Sequence, residues 1–151
     1  MKHIALALSA LAVCACAHAA DTPAAPQVTS VPVFSSGTTI TGQKIAVPEN
    51  PTVVVSKVTF PPGAQLAVHK HPWPHYVYVL EGTLSVTNVE TGKTVDVREG
   101  SFFVEMNNTW HTGKNNGTSP VKLLMIDQIP SGVTSNVVVR DRANSISKKV
   151  T

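Results

Sequence analysis

Residues 63–82 read GAQLAVHKHPWPHYVYVLEG, and this stretch decides the fold. Side chains at i and i+2 of a strand leave the same face, so His69 and His71 point together toward one spot. Pro72-Trp73-Pro74 ends that strand, because proline cannot donate to a ladder and restricts the residue before it. A second alternating run, 75–80 (HYVYVL), opens with a third imidazole, His75. His-x-His followed closely by another His is the spacing of a metal site on a sheet. A fourth partner lies downstream at His111.

Outward from that core, the strand signals recur at near-regular spacing. Residues 53–60, 83–90, 94–98, 101–105, 109–112 and 121–129 read as strands. Runs 28–34 and 38–47 could add β structure at the front, and 137–139 a last edge strand. Pro61-Pro62-Gly63, Glu81-Gly82, Thr91-Gly92-Lys93, Glu99-Gly100, Asn115-Asn116-Gly117 and Pro130-Ser131-Gly132 supply the turns. No segment sustains a helical period and no internal repeat of motif size occurs. The pattern predicts an all-β jelly-roll barrel in one domain, residues 28–140.

The first 19 residues have a basic start, an apolar run and small residues at Ala17 and Ala19. They read as a secretory signal peptide cut after Ala19, too short in its apolar run for the ~20 residues of a membrane span. Residues 20–27 form a Pro/Ala-rich leader and 141–151 a solvated basic tail. Export to the periplasm or medium follows from this reading. Cys14 and Cys16 leave with the signal, which excludes a disulfide or a thiol nucleophile in the mature domain. The formal charge falls from +3 to +2, since Lys2 is the only charged residue removed. So small and dispersed a charge does not suggest nucleic acid as a partner. Of the six histidines, His3 and His18 also leave. Every imidazole that remains belongs to the predicted site.

These residues resemble the two motifs of the cupin family. Gly63, His69, His71 and Gly82 fit the first, with His75 where a glutamate is expected. Gly100, His111 and Asn115 fit the second, with Met106 and Asn108 replacing Pro and Gly. The likeness runs from residue 63 to 115 and implies the cupin jelly roll, also called a double-stranded β-helix. It implies His69, His71, His75 and His111 as ligands of a divalent transition metal: Fe, Cu, Ni or Zn. Four neutral imidazoles would leave the ion its full charge and favour an anionic substrate. His75 is alternatively a donor or acid–base group lying beside the ion.

Trp73 is expected either at the pocket mouth or packed outside the sheet, and the same holds for Trp110. Val77 shares the inward parity of His75, whereas Tyr76 and Tyr78 face away. Glu105 reads either as a catalytic carboxylate near the pocket or, the favoured reading, as an exposed strand end. The family likeness implies a dioxygenase-type oxidoreductase acting on a small organic substrate. The alternative is a non-catalytic module that binds metal or a small ligand. A homodimer is common in the family and is a further expectation; no residues are assigned to an organic cofactor.

Overall fold

A computed structural model describes residues 25–141, so the signal peptide expected at 1–19, the start of the expected leader and most of the expected tail lie outside the described residues. The chain divides into residues 1–31 and residues 32–151. In the first unit, residues 25–31 form no helix or strand and are exposed. Among its described residues the second holds nine strands: β1 (Pro51–Phe60), β2 (His69–Lys70), β3 (His75–Glu81), β4 (Thr83–Asn88), β5 (Thr94–Arg98), β6 (Phe102–Val104), β7 (His111–Lys114), β8 (Val121–Pro130) and β9 (Val138–Val139).

The fold is all-β, as the turn spacing predicts. One antiparallel sheet has the order β1-β8-β3-β6, and a second has the order β5-β4-β7-β2-β9. The two sheets form a jelly roll without closing into one hydrogen-bonded barrel. Among the described residues no helix is long and apolar enough to cross a membrane.

Alternation on β3 shows how sequence sets the interior. His75, Val77 and Val79 are buried, while Tyr76 and Tyr78 between them are only partly so. Val77 and Val79 join Leu84, Val86, Phe103, Met106, Val121 and Leu123 in the core. Gly82 turns β3 into β4 at φ 83°, and a Cβ there would meet Val121 Cγ2 at 3.0 Å and the Pro120 carbonyl at 3.1 Å. Only glycine fits both demands.

The front of the chain departs from expectation. Residues 28–34 form no strand, and 38–47 contribute a single bridge, Thr38 to Lys44. Pro32 removes a ladder donor, and Val31 and Val33 remain 80% and 72% exposed, so no core face draws the segment into a sheet.

Candidate metal centre

Strand pairing, not sequence proximity, assembles the site. β2 lies antiparallel to β7 with His69 directly opposite His111, so both side chains leave the same face. His71, one residue past β2, bridges to Asn107. On the other sheet β3 pairs with β8 so that His75 faces Asp127. The Glu105 amide donates to the His75 carbonyl at 2.9 Å, which seats Glu105 beside the imidazoles. All four histidines are buried, and so is Glu105 at 6% exposure.

The rings gather closely. Centroids are 4.9 Å apart for His69–His71, 4.5 Å for His69–His111 and 5.1 Å for His71–His111. His75 stacks on His71 at 4.0 Å with the planes 8° apart. One donor atom from each of His69, His71, Glu105 and His111 lies within 4.8 Å of the others. A second grouping joins His71, His75 and Asp127.

Each of the four described imidazoles is held at Nδ1 by a group that can only accept. His69 Nδ1 donates to the Ala67 carbonyl at 2.8 Å, and His111 Nδ1 to the Thr109 carbonyl at 2.8 Å. His71 Nδ1 donates to the Asn136 carbonyl at 2.9 Å, and His75 Nδ1 to Asp127 Oδ1 at 2.6 Å. In the neutral form of each ring the proton therefore sits on Nδ1, leaving Nε2 with its lone pair toward the interior. Such outer hydrogen bonds are what fix ring orientation in histidine metal sites.

Glu105 Oε2 stands 2.6 Å from His111 Nε2 and 3.2 Å from His71 Nε2. Despite the short approach, Glu105 Oε2 and His111 Nε2 are both buried and neither has a hydrogen-bond partner. Two electron-rich atoms so placed repel unless a cation, metal or proton, lies between them. The donor set fits a divalent transition metal: three neutral imidazole nitrogens and one carboxylate oxygen.

Protonation preferences follow from the same contacts. Burial is the main reason His69 is pushed down to about 4, so it stays neutral. Burial also opposes charge on His111, but the Glu105 carboxylate outweighs it and lifts His111 above its ordinary value. Burial would raise Glu105, yet the close approach of His111 and His71 brings it well below the usual carboxylate range. For Asp127 and His75 burial is again the largest influence, and their mutual hydrogen bond overcomes it, lowering Asp127 and raising His75.

A cavity of about 270 Å³ opens onto the cluster, lined by His69, His71, His75, Glu105 and otherwise by apolar residues and Gly113. Phe60, Leu84 and Met125 form part of its wall, with Leu66, Val137 and Val139 among the others. Neither Trp73 nor Val77 lines it: Val77 is core, and the Trp73 backbone is clasped by Asn136. Trp110 lies under Lys70 and Arg140 instead.

The exposed strand end expected at Glu105 is thus corrected. The residue is buried against His71 and His111, and it joins the donor group in which His75 was anticipated. Asp127 was missed, although a lone acid sharing the parity of Leu123 and Met125 in an apolar strand was the available signal. Asn136 gave none. Its Nδ2 donates to Asp127 Oδ1 at 2.6 Å and to the Trp73 carbonyl at 3.1 Å, while its own carbonyl holds His71.

Comparison with known proteins agrees with this architecture. The family described as Cupin domain matches residues 56–127. No curated protein sequence matches the chain. Among solved structures, the oxalate decarboxylase formate complex of Lactobacillus farciminis is similar at 19% identity and TM-score 0.53. That likeness covers 66% of this chain but only 31% of the decarboxylase. An uncharacterized conserved protein with a double-stranded β-helix domain from Klebsiella pneumoniae subsp. pneumoniae is similar at 19% identity and TM-score 0.50, covering 72% of this chain and 84% of that one. Identities this low speak for the fold alone.

Proposed function

The chain belongs to the cupin family, and from that premise we propose that it is a metal-dependent oxidoreductase of dioxygenase type acting on a small organic substrate. The observation that carries the metal reading is the shared orientation of the imidazoles, each with Nδ1 donating and Nε2 free. His69, His71, His111 and Glu105 hold the ion, and His75 lies beside it, fixed by Asp127. The ion, when bound, supplies Lewis acidity and, as iron or copper, one-electron redox chemistry.

The chain's own residues do the rest. Glu105 brings one negative charge to the centre, so a divalent ion there retains a net charge of one, against the full charge four imidazoles would leave. His75 presents its free Nε2 beside the cluster, while Asp127 fixes its tautomer. Phe60, Leu84 and Met125 keep the cavity apolar and exclude water from the reacting groups. The alternative, a non-catalytic binding module, draws on the same donor count, since four protein ligands can close a tetrahedral ion completely. The cavity that reaches the cluster favours the enzyme.

Export through a cleaved leader at residues 1–19 is part of the proposal, as is a homodimer formed at β1. Among the described residues that strand is one of the two edges of its sheet, and it leaves Val53 and Val55 exposed. Elemental analysis of protein from its native compartment, followed by oxygen uptake with candidate substrates, tests the activity. Stoichiometric metal with substrate-dependent uptake supports it. Metal without uptake for any substrate that binds favours the binding module.

A further inference from the structure

The cavity wall speaks to the class of ligand, on the premise that the cluster holds metal. We infer that the ligand is a small, largely apolar molecule with a single ionisable oxygen group, and that dicarboxylates and sugars are excluded. Apart from His69, His71, His75 and Glu105, no lining residue carries a polar side chain. A hydroxyl or carboxylate placed against the inner wall at Phe60 or Leu84 would lose water and gain no side-chain partner. Each such group costs roughly ten- to a hundredfold in affinity.

Charge gives the same answer. A divalent ion beside the Glu105 carboxylate keeps one net positive charge, enough to match one anionic oxygen. A second carboxylate on the ligand would find no cation, because no Lys or Arg lines the wall. Lys70 and Arg140, on or next to the strands that carry the site, lie over the Trp110 ring at 5.0 and 5.7 Å. Size adds the last restriction. A volume of about 270 Å³ falls just below the ~300–1,000 Å³ usual for small-molecule sites, which suits one substituted ring.

Calorimetric titration of the full chain with phenol, 4-methylphenol, 4-ethylphenol and 4-propylphenol tests this, with oxalate and glucose as polar controls. Titrations use both zinc-loaded and EDTA-treated protein, after the metal content of each is measured. In loaded protein, affinity should rise about fourfold per added methylene until the cavity is full. Oxalate and glucose should bind at least about tenfold more weakly than 4-ethylphenol. Equal affinity along the series, or tighter oxalate or glucose, would overturn the inference while leaving the metal centre standing. If the chain retains no zinc, the metal reading fails. The gain per methylene in that same protein then decides the apolar cavity alone, and a flat series sinks it. Val139, 56% exposed and opposite His69 in the ladder, offers a second test. Val139→Arg should raise oxalate affinity at least about tenfold by supplying the missing cation, and no gain would contradict the charge argument.

Discussion

Glu105 is the residue on which the chemistry turns. It stands within 3.2 Å of two imidazole nitrogens, with no solvent to screen its charge. Glu105→Gln keeps the shape and removes that charge, so zinc affinity should fall by more than about 100-fold. His75→Gln, which loses only a neighbour of the ion, should cost about tenfold. Competitive chelator titration reads both, and the opposite ranking would restore the four-histidine centre. The pH dependence follows from the same contacts. Against the pull of burial, the Glu105 carboxylate lifts His111 above its ordinary value of 6.5, so this ligand keeps its second proton to higher pH and an incoming ion must displace it. Glu105 is already ionised and His69 already neutral. Apparent zinc affinity should therefore rise from about pH 6 to pH 8 with proton release; a flat profile would contradict this. His69, His71 and His111 were legible because residue type and spacing sufficed. The place of Glu105 was not, because whether a strand-end carboxylate faces in or out depends on the opposing sheet.

At the scale of elements, the site exists because short strands end where they do. β2 spans two residues before Pro72, which frees His71 to turn onto Asn136. Asn108, standing where the family motif has glycine, adopts φ 49°, a left-handed conformation that asparagine tolerates. Turn chemistry of this kind was readable in advance, and so were most of the strands from 53 onward. Residues 28–47 were not: β-branched residues are common there, yet the only ladder contact they make is the bridge Thr38 to Lys44, while Ile40 packs on the core from a turn. Gly82→Ala measures how strictly a turn is set. Its positive φ and the 3.0 Å approach of Val121 should together cost about 2 kcal/mol or more. Gly92→Ala, at φ 73° with nothing within 4 Å, should cost only about 1 kcal/mol. Urea denaturation compares them, and equal losses would remove packing from the explanation.

At the scale of the whole molecule, two sheets that touch different partners converge on one cluster, so metal and fold should be coupled. A ligand that binds only the native state stabilises it by mass action. At free zinc about 100 times its dissociation constant, the gain should be about 2.7 kcal/mol, lost on adding EDTA. Unchanged melting on chelation would mean that the ion contributes nothing to the native state. The all-β class was legible in the sequence, since the fold needs only strands and turns in order. What occupies the space beside the histidines was not, because β8 and the segment around Asn136 come from far along the chain. X-ray absorption at the metal edge of the native protein tests the central claim most directly. One ion per chain is expected, bound by histidine nitrogen and carboxylate oxygen at about 2.0–2.2 Å, with the signal gone in His111→Ala. A native protein without stoichiometric metal, or an unchanged spectrum in that variant, would contradict it.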